Sequence, residues 1–341
     1  MALFINSLSN NQVLNSYNFA RISDIVYSEV ISQEQYQHLQ NKNTFIISKD
    51  ENYVFYKIDK FNVTENCVIF TNLFLIESLF EELHKIKNLK NIKLITHQSD
   101  RLVTNKLYKN IPSCISEWYG INISNETTDI TPIPIGLSNA HYDKSLVKEH
   151  YSNVKKISFK NKINKMYINF EINTNFNERY KLLKKFESKP WVDIEQNKLS
   201  LKEYINKLTQ YKFILCPWGN GIDTHRIWEV FYAESIPITK MHYTYNSSID
   251  LPLFLVENYD EINLEKLESF SNKYENYETL SVDYWEKRIK RNEVNESKNF
   301  LVSESNEKQK DTMIKYHKEL KNLRRLKSFK TLERKIKKRI T

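Results

Sequence analysis

The sequence predicts an α/β protein made of two similar domains with parallel sheets, and two observations carry that expectation. Apolar strand-like runs alternate with helical spacing twice along the chain, and a polar, basic stretch separates the two series. The chain has 341 residues, too many for one small core, and its 40% hydrophobic and 13% aromatic content is enough to fill two.

Residues 1–60 are mixed, with short strands at 44–48 and 53–58. The first series follows: a strand at 66–71 (NCVIFT), a helix at 73–87, a strand at 91–96 (NIKLIT), a short helix at 101–108, and strands at 114–119 and 130–135. Residues 143–163 read as a linker. The second series has strands at 166–170 and 191–194 around a helix at 178–186. A helix at 200–211 begins at a Ser200 cap with Glu203 in the capping-box position. After it come a strand at 212–216 (KFILC), a helix at 223–233, and strands at 236–239 and 254–257. The region from 282 to the end is helical. The expected organisation is a doubly wound domain over 1–150, a second over 160–285 facing it across a cleft, and a helical, basic extension over 286–341.

Charge and cysteines narrow the function classes. Of the 51 Lys/Arg, 14 lie between residues 308 and 339, against three of the 42 Asp/Glu, so the rest of the chain carries 37 basic and 39 acidic residues. The net +9 therefore belongs to a tail and does not make the body a nucleic-acid binder. Cys67, Cys114 and Cys216 are far apart and show neither metal spacing nor a disulfide framework. The N-terminal segment lacks a basic region followed by an apolar stretch, and no run of roughly 18 apolar residues occurs. A cytoplasmic protein is expected.

Glycine is scarce: four residues in the whole chain, against about 7% in average proteins. Two of them, Gly219 and Gly221, flank Asn220 between the KFILC strand and the next helix, whose first turn carries Asp223 and Thr224. Ligands of open α/β sheets bind beyond the carboxyl ends of strands, where glycine lets the backbone approach a phosphate and a helix N-terminus offers free N–H groups. Arg226 and Glu229 are three apart on one helix face, a spacing that suits a guanidinium on a diphosphate and a carboxylate on ribose hydroxyls. The competing interpretation is an ordinary turn followed by a surface ion pair. No Gly-Lys-Ser/Thr follows, and the third glycine and distal acid of a dinucleotide fingerprint are missing.

The segment YKFILCPWGNGIDTHRIWEVFYAESIPI (211–238) closely resembles the donor-binding motif of exostosin-like glycosyltransferases. Two further pieces, KLITHQSD (93–100) and IPIGLSN (133–139), resemble the bacterial and viral branch of such enzymes. The resemblance implies a GT-B fold of two Rossmann-like domains, with the acceptor on the first and a nucleotide sugar on the second. It also implies inversion at the anomeric carbon without a metal or other cofactor. Ser235 departs from the glycine usual before Ile-Pro in that family and would crowd a tight turn.

On this resemblance Arg226 balances the leaving diphosphate, helped by the backbone from Asn220 to Thr224, and Glu229 holds the ribose. Asp223, Thr224 and His225 line the donor pocket, with Trp218 at one edge. An inverting transfer needs a base on the acceptor side. Asp100 is the first choice and His97 the second, since both follow the strand NIKLIT; the alternative for Asp100 is a cap on the helix starting near residue 101. Gly136, Asn139 and His141 are expected along the acceptor cleft, whereas Trp118 and Tyr119 fill the core or stack on a sugar.

Leu320, Leu323, Leu326, Phe329, Leu332, Ile336 and Ile340 recur mostly three or four apart among Lys and Arg. That is the pattern of a basic amphipathic helix on an anionic membrane surface, or of a helix packing its apolar stripe on the protein. The expected partners are a nucleotide-sugar donor and a glycan or lipid-linked glycan acceptor, in surface polysaccharide synthesis on the inner face of the membrane. A non-catalytic nucleotide- or carbohydrate-binding protein of the same fold is the alternative.

Overall fold

A computed structural model describes residues 3–39, 43–139, 145–270, 277–290 and 298–340, the stretch 326–340 as helical backbone. Its first part contains α1 (Ser16–Arg21), β1 (Ile25–Val26), β2 (Ser28–Ser32), α2 (Gln33–Gln37), β3 (Thr44–Lys49), β4 (Tyr53–Ile58), β5 (Lys60–Thr64) and β6 (Val68–Asn72). Next come α3 (Ile76–Leu83), β7 (Ile92–His97), α4 (Asn105–Tyr108), β8 (Ile115–Gly120) and β9 (Thr131–Pro132). The second part contains β10 (Ile163–Ile168), α5 (Phe176–Phe186), β11 (Val192–Ile194), α6 (Leu201–Gln210), β12 (Tyr211–Leu215), α7 (His225–Tyr232), β13 (Ile236–Lys240) and β14 (Phe254–Val256). Then follow α8 (Leu264–Ser269), α9 (Val282–Ile289), β15 (Asn299–Ser303) and α10 (Asn306–Ile340).

Two five-stranded parallel sheets result, and their windings differ. The first runs β1-β6-β7-β8-β9, every step in one direction. The second runs β11-β10-β12-β13-β14. Only this second order reverses direction, between β10 and β12, so only it has a topological switch point, the crevice where open α/β sheets bind ligands. The expectation of a doubly wound first domain is corrected accordingly.

The strand runs are buried because apolar residues fill them on both faces: β6 and β7 are buried at every position. The first 60 residues, poorly legible in sequence, add an antiparallel sheet of order β2-β4-β3. The region after residue 282 is not helical throughout, since β15 pairs antiparallel with β5. That long-range pairing is anchored by Glu304, which forms a fully buried ion pair with Lys57 and accepts the Tyr27 hydroxyl at 2.7 Å.

The helix α10 then lies on the first sheet's side of the molecule. Its Thr312 meets Ser78, Tyr316 is buried beside Phe55 and Phe74, and Lys308 and Lys315 pair with Glu81. The first three turns of the basic extension therefore pack on the protein, with Leu320 at the edge of the core. No helix among the described residues is long and apolar enough to cross a membrane.

The stretch read as a linker is not a solvated connection. Leu146, Tyr151 and Val154 are buried in a cluster that also takes Leu14, Tyr119 and Ile135 from the first part and Tyr167, Ile214 and Trp228 from the second. One continuous apolar core joins the two sheets.

Candidate functional site

The site is built on the carboxyl ends of β10 and β12. Beyond β12 the chain runs Cys216-Pro217-Trp218-Gly219-Asn220-Gly221-Ile222-Asp223-Thr224 and enters α7. Six of the eight residues of α7 are buried: Ile227, Trp228, Val230, Phe231 and Tyr232 carry its packing, Glu229 and Arg226 meet Tyr204 of α6, and His225 meets the Gly136 carbonyl.

Arg179 fastens this loop to β10. Its Nη1 donates to the Glu171 carbonyl at 2.7 Å, Nε to Trp218 O at 3.1 Å and Nη2 to Pro217 O at 2.8 Å. One guanidinium thus spans the two strand exits that define the switch point. Burial, and then the nearby Arg226, pull its pKa down to about 10. Two guanidinium groups stand close enough to repel, and among the described residues neither has a carboxylate within 4.0 Å. Arg179 escaped the sequence reading; its signal is an arginine on the stripe it shares with Leu182 and Phe186, the buried face of α5.

Three shielded polar atoms of this loop and helix have no hydrogen-bond partner among the described residues: Trp218 Nε1, Thr224 Oγ1 and Arg226 Nη1. Thr224 holds the N-cap position of α7 without making a side-chain cap bond. Unpartnered buried donors are costly, and three on the one segment that leads into and begins α7 suit an acceptor-rich ligand. The Arg226 guanidinium lies over the Tyr204 ring at 5.2 Å, and the Tyr204 hydroxyl donates to Glu229 Oε2 at 2.7 Å. Arg226 and Glu229 are therefore not a surface ion pair, and neither points into open solvent. Glu229 is only 9% exposed.

The glycines work differently from the sequence expectation. Neither Gly219 nor Gly221 has a positive φ. A Cβ on Gly219 would stand 3.2 Å from Arg179 Nη2, and one on Gly221 would stand 2.8 Å from Asn122 Nδ2. Gly221 makes room for Asn122, whose Oδ1 accepts from the amides of Ile222 and Asp223 at 2.9 Å while its Nδ2 donates to Ser99 O at 3.1 Å. Asn122 has a φ of 53°, a left-handed conformation that asparagine tolerates, and it was not foreseen. Of the GNG segment, Asn220 alone is exposed.

Asp223 is structural and does not line a pocket. It is buried, accepting from Ile135 N at 2.8 Å and from Trp228 Nε1 at 2.9 Å, so it clasps the two parts together. Burial raises its carboxyl from 3.8 to about 7, against the pull of the Ile135, Trp228 and Thr224 hydrogen bonds. Between about pH 4 and 7 the folded protein holds a proton there that the unfolded chain has released, so stability falls as pH rises through that window. The difference in unfolding free energy between wild type and Asp223→Asn is expected to fall across the same window and to be flat above it. Denaturant melts at several pH values check this, and a pH-independent difference would refute it. Glu29, also raised to about 7, is present in both proteins and cancels.

On the other side, His97 is corrected as a candidate base. It is 1% exposed, its Nε2 donates to Pro134 O at 3.2 Å and its Nδ1 accepts from Gln98 N at 2.8 Å. No ring nitrogen remains for a substrate proton, and burial lowers its pKa to about 3. Asp100 is exposed and forms no hydrogen bond among the described residues. It caps nothing: α4 starts at Asn105 behind a Thr104 cap. Its neighbour Ser99 is tied through Asn122 to the backbone of Ile222 and Asp223, which brings the ends of β7 and β12 together.

Gly136 is buried and does not line an open cleft. Its φ is 69°, and a Cβ there would stand 2.2 Å from Leu14 O. Its carbonyl accepts His225 Nδ1–H at 2.8 Å, which leaves Nε2 with the lone pair in the neutral ring. Asn139 reaches Ser16 Oγ at 2.8 Å, which Gln98 Nε2 also contacts at 3.0 Å, so it stands beside the turn that bears Asp100. His141 lies outside the described residues. Trp118 is core, 2% exposed, with Nε1 on Thr96 Oγ1 at 2.8 Å, and Tyr119 is buried with it. Ser235 does not occupy a crowded turn, because the left-handed residue is Glu234; its hydroxyl instead links Lys162 Nζ, at 2.7 Å, to the end of α6.

No protein-family model matches this sequence, and no curated protein matches it. Among solved structures, the crystal structure of an α1,3-fucosyltransferase aligns with 72% of this chain and 68% of its own at 15% identity. The TM-score is 0.29, too low to carry fold or activity across.

Proposed function

We propose that the chain is a glycosyltransferase that moves a sugar from a nucleotide-sugar donor to a hydroxyl of a glycan or lipid-linked acceptor, with inversion and without a metal. The observation that carries this reading is the set of donors unpartnered among the described residues on the segment from β12 into α7, Trp218 Nε1, Thr224 Oγ1 and Arg226 Nη1, beside two mutually repelling guanidiniums, neither in an ion pair among the described residues. A diphosphate supplies several acceptor oxygens and negative charge for both guanidiniums. The resemblance of residues 211–238 to exostosin-like enzymes supplies the sugar nucleotide.

Glu229 suits the ribose, since Tyr204 takes up Oε2 and among the described residues nothing takes Oε1. In the transfer, Asp100 accepts the acceptor's hydroxyl proton and the freed oxygen attacks the anomeric carbon from the face opposite the diphosphate. The bond from that carbon to the diphosphate oxygen breaks, and the leaving charge collects on Arg226 and the N–H groups entering α7.

A thermal-shift screen of nucleoside diphosphates and nucleotide sugars tests the reading. A ligand held at about 100 times its Kd adds about 2.7 kcal/mol of stability, a shift of several degrees that EDTA is expected to leave unchanged. No shift with any member of the panel would sink the assignment, and a shift abolished by EDTA would sink its metal-independent form. Transfer to an added acceptor, or slow hydrolysis of the donor, then distinguishes an enzyme from a binding protein.

A further inference from the structure

Tyr204 lies on α6, outside the loop and helix that bear the resemblance, yet it touches both residues on which donor recognition rests. Its ring lies under the Arg226 guanidinium at 5.2 Å, and its hydroxyl donates to Glu229 Oε2 at 2.7 Å. The side chain is well anchored. A capping box between Ser200 and Glu203 sets the start of α6, Ile205 and Leu208 bury its inner face, and Ser235 Oγ donates to the Leu208 carbonyl at 2.7 Å. Burial holds the phenol well above its ordinary range, and the Glu229 charge adds to this against the pull of Arg226, so the hydroxyl stays a donor.

A carboxylate with one oxygen committed presents the other in a fixed direction. A guanidinium resting on an aromatic face is likewise limited in where its N–H groups aim. We propose that Tyr204 is a positioning residue for a nucleoside diphosphate: its hydroxyl sets Glu229 for the ribose, and its ring sets Arg226 for the diphosphate. This rests on the donor-site reading above and deepens it. It makes ribose and diphosphate recognition separable by two substitutions of one side chain.

The experiment is calorimetric titration of the full chain with inorganic pyrophosphate and with the tightest binder among UDP, GDP, CDP and ADP. Tyr204→Phe keeps the ring and loses the hydroxyl, so the nucleoside diphosphate is expected to bind about 10-fold more weakly while pyrophosphate stays within about twofold. Tyr204→Leu loses both contacts, and pyrophosphate binding is then expected to weaken as well, by roughly 3- to 30-fold. A merely structural residue would weaken both ligands together in both variants. Equal losses for the two ligands in Tyr204→Phe, or none in either, overturn the proposal. If Tyr204→Leu fails to fold, Tyr204→Phe alone decides. If Arg226→Met abolishes binding while Tyr204→Phe does not change it, Tyr204 fails and the donor site stands. A wild-type protein that binds no nucleoside diphosphate sinks both.

Discussion

Arg226→Met is expected to weaken nucleoside diphosphate binding by roughly 10²–10³-fold while leaving the stability of the unliganded protein nearly unchanged. A charge-assisted hydrogen bond contributes about 1.5–3 kcal/mol and a guanidinium fork makes two to a phosphate; with each bond near the low end of that range, a loss of about 3–4 kcal/mol follows. The stability half comes from the electrostatics around Arg226. Among the described residues Arg226 Nη1 is shielded without an acceptor and no carboxylate lies within ion-pair distance, and Arg226 lies near enough to Arg179 to lower that residue's pKa. Removing the Arg226 charge relieves the cost of burial and the repulsion with Arg179 but also loses the attraction of Tyr204 and Glu229, which holds the Arg226 pKa above its ordinary value, and the methionine stem replaces the packing on Tyr204, so the net change is small. Alanine at Glu229 differs, because it strips the Tyr204 hydroxyl of its acceptor and is expected to lower stability too. Titration calorimetry and thermal melts on Arg226→Met decide the matter. A variant that melts several degrees lower yet binds as wild type would make Arg226 a packing residue.

Local pattern carried much of the second sheet, because the information needed was local. KFILC is an apolar run between a capped helix and a Pro-Gly loop, and it folds as β12 almost to the residue. The Ser200 and Glu203 capping box forms as read. What stayed hidden depended on partners far away in sequence. β15 looks like part of a helical tail until β5, more than two hundred residues upstream, offers it an edge. The polar residues of the site divide in the same way. Arg226, Glu229 and Asp100 have the right type and spacing to be noticed. Whether a polar side chain faces a ligand or the other half of the molecule is set by tertiary packing. His97 and Asp223 have the chemistry of site residues and are used as buried ties to Pro134 and Ile135. Asn122 and Arg179 organise the loop through backbone amides and carbonyls, and such bonds leave almost no mark in sequence.

Asp100→Asn is expected to lower kcat by roughly 10²–10⁴ with donor affinity nearly unchanged, because a general base is used in the transition state and not in binding the donor. The structure sharpens the test by removing the competing role for this side chain. The Asp100 carboxylate is exposed and has no hydrogen-bond partner among the described residues, and the nearest helix is capped by Thr104. The isosteric change should therefore leave the melting temperature where it was, so a fall in rate cannot be charged to a damaged fold. Position supports the role as well. Ser99, one residue before it, is bonded to Asn122, and Asn122 holds the amides that lead into α7, so the Asp100 turn is tied to the loop that enters α7. Near wild-type turnover by Asp100→Asn would end its candidacy. His97 could not inherit the role, with both ring nitrogens engaged inside the core. The succession would pass to His225, whose Nδ1–H is spent on the Gly136 carbonyl and whose Nε2 keeps its lone pair. In that case His225→Gln, and not Asp100→Asn, would show the 10²–10⁴-fold loss of kcat.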